Sequence, residues 1–220
     1  MEDFHKMRSL FVLTAAALAI IPTSVVGSTL FTENFDELTP MLSATSVGGF
    51  STTGGTNVDI VGGAVFGSLC VAPEAVNCVD MDGSSGNMQG VLQTNSTFTL
   101  MPGINYFLSF DLIGSQRGNT ASTTVTFASY NQEFTLASAD VTDGIVTNAL
   151  ITVTTPTVTS LVFTSDTPGA MGNLLDNVSI TSSPQSTVPE PSSAMLVGFA
   201  LIVAAWAMRS RRSLALIAKR

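Results

Sequence analysis

From residue 104 to residue 112 the chain alternates, so that Ile104, Tyr106, Leu108, Phe110 and Leu112 fall on one face. A period of two is the mark of a half-buried strand. Met101-Pro102-Gly103 is the turn before it. No long stretch between residues 28 and 182 repeats with the 3.6-residue period of an amphipathic helix. Runs rich in Val, Ile, Phe and Thr at 31–35, 58–61, 76–80, 90–100, 123–130, 132–137, 149–155, 157–165 and 174–181 predict further strands. Gly48-Gly49, Gly54-Gly55, Gly62-Gly63, Gly83, Arg117-Gly118-Asn119, Asp143-Gly144 and Pro168-Gly169 separate them as turns. Eight to ten short strands in about 155 residues predict one all-β domain at 28–182, a two-sheet sandwich of jelly-roll type. Its ten phenylalanines, from Phe31 to Phe163, are expected in or near the core.

Two other apolar runs have a different texture. Residues 9–21 (SLFVLTAAALAII) are uncharged, follow Lys6 and Arg8, and stop at Pro22. Val25 and Gly27 occupy the −3 and −1 positions of a cleavage site before Ser28. This is the layout of a secretory signal peptide over 1–27; an uncleaved N-terminal anchor is the other reading. Residues 192–208 (SSAMLVGFALIVAAWAM) are also uncharged, at the lower limit of length for a transmembrane helix. They follow a Pro/Ser linker at 183–191 and precede a basic tail at 209–220. Arg209, Arg211 and Arg212 predict a cytoplasmic tail and leave the domain outside, with Trp206 near the interface.

Charge separates along the same lines. The whole chain carries −8, with 11% charged residues and a mean hydropathy of +0.41. Between residues 28 and 184, Arg117 is the one cation against thirteen acidic residues, so the domain carries about −12. Such a surface repels phosphate backbones and argues against nucleic-acid binding. His5 is the single histidine, and the domain has no Lys. That excludes Ser-His-Asp and Cys-His catalysis, histidine zinc sites, Schiff-base chemistry and P-loops. Two-carboxylate hydrolysis, with residues such as Glu33, Glu74 or Glu133, stays open on paper. Cys70 and Cys78 are the only cysteines, and in an exported domain an even count favours a disulfide between them, two buried thiols being the alternative.

Val188-Pro189-Glu190-Pro191, then the apolar run, then the arginine cluster, resemble the PEP-CTERM sorting signal. The resemblance implies an exosortase, a membrane-embedded cysteine transpeptidase of Gram-negative bacteria, as partner. It also implies processing near Pro189-Glu190-Pro191 and delivery to the cell surface or exopolysaccharide matrix. The two prolines keep that segment extended, as a peptidase needs. The tail departs from the pattern by continuing through residues 213–220 (SLALIAKR).

Inside the domain, Phe35-Asp36, VDMDG at 79–83, YFLSFD at 106–111 followed by Arg117-Gly118, and LLDNVSI at 174–180 resemble motifs of galactose-binding-like, carbohydrate-binding β-sandwiches. Alternation puts Leu174, Asp176, Val178 and Ile180 on one face, a carboxylate in an apolar row that needs a partner. The resemblance implies calcium joining Asp176 to Asp36 or Glu33; alternatively Asp176 ties down backbone N–H groups or pairs with Arg117. Asp80-x-Asp82-Gly83 is read as a tight turn rather than a calcium loop, lacking a third ligand and a terminal Glu. Arg117 is expected to pair with Asp111 or Asp82, or to contact a sugar hydroxyl or carboxylate. With Tyr106 and Tyr130 as its only polar aromatics, the domain offers few platforms for a sugar.

These readings converge on an exported, non-catalytic surface or matrix protein with structural or adhesive work, lodged in the inner membrane before processing. The alternative is a carbohydrate-binding module with a structural calcium site, taking extracellular polysaccharide as partner.

Overall fold

The computed structural model describes residues 27–71, 76–86 and 89–184. They form an all-β sandwich. In chain order the strands are β1 (Ser28–Glu33), β2 (Met41–Ala44), β3 (Ser46–Val47), β4 (Phe50–Thr52), β5 (Val58–Gly62), β6 (Asn77–Asp80), β7 (Val91–Thr94), β8 (Phe98–Leu100), β9 (Ile104–Ile113), β10 (Ala121–Phe127), β11 (Tyr130–Leu136), β12 (Ile145–Ile151), β13 (Thr157–Thr159), β14 (Val162–Ser165) and β15 (Leu174–Pro184). A single 3-10 turn at Gly67–Leu69 interrupts this order.

Seven strands make the first sheet, in the order β12-β9-β15-β6-β5-β2, with β1 on the same edge of β15 as β6. The second sheet runs β11-β10-β14-β7-β4-β3, and β13 with β8 makes a small third one. Every pairing is antiparallel. The alternation read in β9 holds: Tyr106, Leu108, Phe110 and Leu112 are buried. β10 behaves likewise, burying Ala121, Thr123, Val125 and Phe127 and leaving the residues between them half-buried. The two large sheets meet over phenylalanines. Phe110 of the first lies edge-on to Phe163 and Phe134 of the second, with ring centroids 5.3 and 5.6 Å away. Such edge contacts add about 1 kcal/mol each beyond the area they bury. Phe66 departs from the expected core set, being 54% exposed on the loop before the 3-10 turn.

Several differences from the sequence reading have local causes. The run 90–100 is two strands, and so is 157–165. Both break where Thr94 and Leu161 face each other, Thr94 N–H donating to the Leu161 carbonyl and Leu161 N–H to Thr94 Oγ1. The paired chains bend there together, from the second sheet into the third. The hairpin joining β10 and β11 turns at Ala128-Ser129 with Ala128 at φ 52°, a conformation alanine rarely supplies. The strands β2, β3 and β4 are too short for their alternation to register in the sequence.

Another difference lies in β15. Asn177 sits at φ 51°, and the register against β9 slips between Asp176 and Ser179. This is a bulge: one extra residue flips the parity of the rest of the strand. Leu175, Val178 and Ile180 therefore enter the main core, whereas Leu174 joins a smaller cluster with Val61, Leu69, Cys78 and Ile113. The expected face of Leu174, Asp176, Val178 and Ile180 does not exist. Asp176 pairs with Asp111, whose neighbours Phe110 and Leu112 point into the core, so the two carboxylates share the outer side.

Candidate functional site

β15 sets the axis of the domain. At its start Leu174 lies beside Asp80, and at its end Pro184 lies beside Ile104, with Ser182 paired to Ser28 of β1. The domain's first and last residues are thus neighbours at one end. Loops 114–120, 138–144 and 166–173 gather at the other.

The motif residues converge at that far end. Asp80 is fully buried and forms an ion pair with Arg117. This corrects the expected partners: Arg117 engages Asp80, not Asp82, Asp111 or Asp176. Its Nε donates to the Ser115 carbonyl (3.3 Å) and Nη1 to the Ala170 carbonyl (3.1 Å), so the one cation is held on three sides. Asp80 Oδ1 accepts from the N–H of Gly172 (2.9 Å) and of Asp82 (3.1 Å). Gly172 permits this approach, since a Cβ there would meet the Asp82 nitrogen at 2.7 Å. Burial pushes the Asp80 carboxyl up, to about 7, against the pull of Arg117 and the two N–H donors.

Asp82 is equally buried, and neither of its oxygens has a hydrogen-bond partner among the described residues; Ser165 Oγ is in the same state. Burial raises its carboxyl to about 6, with Ser165, the Gly90 N–H and Arg117 as weak counterweights. Alternation places Val79 and Met81 in the core and Asp80 and Asp82 off that row. The choice of Asp80 for Arg117 is made by the 166–173 loop, which no local pattern reveals. Asp59 was also hidden in the sequence. Buried, it accepts from the N–H of Ser43 (2.7 Å) and of Ser84 (3.0 Å), tying β2 and the loop after β6 to β5. Asn77 does similar work, its amide donating to the carbonyls of Asp36 (3.0 Å) and Leu38 (2.9 Å).

Asp36, Asp111 and Glu33 lie close enough to Asp176 for their charges to act on it. Burial pushes the Asp176 carboxyl up to about 7; the Asn177 N–H opposes this, and the charges of Asp36, Asp111 and Glu33 add to it. Their oxygens, however, face protein donors. Glu33 accepts from the N–H of Phe35 (3.1 Å) and of Gly49 (2.8 Å). Asp36 Oδ1 accepts from the N–H of Val76 (3.1 Å) and Asn77 (3.3 Å), and Oδ2 from Asn34 (3.1 Å). Asp176 Oδ1 accepts from the Asn177 N–H (2.7 Å). Among the described residues no three His, Cys, Asp or Glu side chains are grouped to hold a metal ion. As placed among the described residues, these three carboxylates do not form a group that would hold calcium. Glu133 lies on β11, apart from this group, and Glu74 is outside the described residues.

Cys70 and Cys78 form the expected disulfide, with Cα atoms 5.7 Å apart, fastening the loop after the 3-10 turn to β6. A groove of about 380 Å³ beside Asp82 is lined by Thr56, Gln89, Val91, Thr164, Ser165, Asp166 and Pro168. It contains no aromatic side chain.

Residues 1–26 and 185–220 lie outside the described residues, and with them the expected signal peptide, the linker, Val188, Pro189, Glu190 and Pro191, the run 192–208 and Arg209, Arg211 and Arg212. Among the described residues no helix is long and apolar enough to cross a membrane. The C-terminal segment is placed by comparison instead. Residues 187–212 match the PEP-CTERM protein-sorting motif. The match begins three residues after β15 ends and takes in the PEP tripeptide, the apolar run and three of the arginines.

The sandwich is similar to several solved structures. One is the K3 cleaved adhesin domain of Lys-gingipain from Porphyromonas gingivalis, at 17% identity, covering 71% of this chain and 99% of that one, with a TM-score of 0.41. The K1 domain of the same protein gives 14% identity, 68% and 96% coverage and a TM-score of 0.38. TmCBM61, solved in complex with β-1,4-galactotriose, gives 13% identity, 60% and 85% coverage and a TM-score of 0.32. Comparison with curated proteins gives no match.

Proposed function

We propose that this chain is an exported surface or matrix protein whose C-terminal signal delivers a non-catalytic β-sandwich with structural or adhesive work. The observation that carries the proposal is the sorting motif at 187–212, set directly after the last strand of a folded domain. An exosortase-type enzyme is the partner at that segment, and the apolar run holds the chain in the inner membrane until processing. The domain's chemistry supports a passive role. Its one arginine is bound into the fold, and its buried carboxylates Asp59, Asp80 and Asp176 are held by N–H groups or an ion pair. Mass spectrometry of the protein recovered from cells tests the delivery. The expected species starts at Ser28 and ends near Pro189-Glu190-Pro191. Recovery of a chain that still reaches Arg220 would refute processing.

A second reading is favoured by the groove beside Asp82, where Gln89, Thr164 and Asp166 offer hydroxyl, amide and carboxylate groups. In that reading the domain binds a polysaccharide. Calcium belongs to it only if Glu33, Asp36 and Asp176 converge on one ion. Pull-down of the processed protein on insoluble polysaccharides separates the readings, since no retention on any of them removes the second.

A further inference from the structure

Charge is segregated along the domain's axis. Each time the chain passes the end that carries Ser28 and Pro184, it does so uncharged. The segments 27–32, 91–110, 125–132, 145–165 and 177–184 contain no Asp, Glu, Lys or Arg. The register brings four of them together: Ser28 beside Ser182, Pro184 beside Ile104, and Tyr106 beside Ile151. The turn at 101–103 and strands β8 and β13 complete that end. It presents Met101, 47% exposed, and Val158, 67% exposed, among threonines, and a hydroxyl-lined cavity of about 300 Å³ that includes Thr152, Thr154 and Thr155.

The charges begin further along. Asp111 is seven residues up β9 from Ile104, and a strand rises about 3.3 Å per residue, which puts it ~23 Å from that end. Glu133, three residues from the start of β11, is the nearest, at ~10 Å. Electrostatic repulsion is screened over about 8 Å at physiological ionic strength. A domain of about −12 therefore presents its weakest negative field at this one end.

The chain leaves from the same end. Only residues 185–191 separate Pro184 from the apolar run, a reach of at most ~25 Å. We infer that the uncharged end of the sandwich, around Met101, Val158 and the 152–157 threonines, rests on the phospholipid headgroups of the bilayer while the chain awaits processing, with the acidic end held away. This rests on the proposed reading that the run at 192–208 enters the membrane. A phospholipid surface is the occupant that the short tether enforces. An anionic one would repel any other end of this domain.

The test uses the full chain in vesicles of phosphatidylethanolamine and phosphatidylglycerol carrying a headgroup spin label. One fluorophore is placed at Thr155→Cys and, in a second protein, at Asp143→Cys; both positions are exposed. Flotation reports the anchor, and quenching reports the orientation. Several-fold stronger quenching at 155 than at 143 is expected. Adding Met101→Glu with Val158→Glu, both at exposed sites, should abolish that difference without loss of flotation. Equal quenching at the two positions in floated protein overturns the inference and leaves the anchor standing. So does lipid-independent self-quenching at 155, which would make this end a contact between copies. Protein that does not float removes the anchor and the inference together.

Discussion

Replacing Asp82 by Asn should stabilise the domain at pH 8 and change it little at pH 4. Asp82 is fully buried, with neither oxygen hydrogen-bonded among the described residues, and its carboxyl is raised to about 6 from the ordinary 3.8. The folded state therefore binds more protons than the unfolded chain between those values. Stability from this group is fully present below pH 3.8 and is lost as pH rises through 6. A difference of about two pKa units at about 1.4 kcal/mol each gives ~3 kcal/mol between pH 4 and pH 8. Asn keeps the shape and has no charge to desolvate, so the variant should lose most of that slope. Asp80 and Asp176, raised to about 7, push the wild-type profile in the same direction and remain in the variant. Urea unfolding followed by circular dichroism at pH 4, 6 and 8, with the disulfide kept oxidised, measures both slopes. A wild type no more stable at pH 4 than at pH 8, or a variant with an unchanged slope, would show that Asp82 has a partner or is solvated, and the reasoning fails.

Arg117→Met leaves Asp80 buried without its cation, and at pH 8 it should cost about 3–5 kcal/mol; adding Asp80→Asn should recover most of that in the same urea assay. Removing the disulfide as Cys70→Ser with Cys78→Ser should cost about 2–3 kcal/mol, modest because the closed loop is short, and the melting temperature should fall by several degrees. Millimolar calcium should move the melting temperature little, because Glu33, Asp36 and Asp176 are turned to N–H donors; a rise of several degrees would show that they turn around a metal.

The strands that carry the core were legible because their alternation is uninterrupted. Tyr106 to Leu112 and Leu174 to Ile180 both read as strands, but only the first gave the correct face. A bulge leaves no mark on hydropathy, and Asn177 hints at one only through its tolerance of positive φ. The disulfide was legible because just two cysteines exist. The ion pair was half legible. A lone arginine among acids must find one of them, yet its choice of Asp80 depends on Gly172 and Ala170, which lie more than fifty residues on. Asp59 and Asn77 could not be singled out, since their partners come from loops and from the short strand β2, none of which has a pattern of its own. The sorting segment was legible without any structure, because its motif, a PEP tripeptide, an apolar run and arginines, is carried by the sequence itself.

β15 is the last strand of the domain in the chain and lies inside the first sheet, between β9 on one side and β6 with β1 on the other. Among the described residues β1 pairs with no other strand, and Ser28 must wait for Ser182 before it has a ladder partner. Contacts so distant in sequence form late and slowly. A chain that is still emerging across a membrane therefore stays incomplete until its final stretch has crossed. Closure of the sheet and arrival of the sorting segment become nearly one event, so a chain cut short before β15 would have neither a closed sheet nor a sorting segment and would stay open to proteolysis.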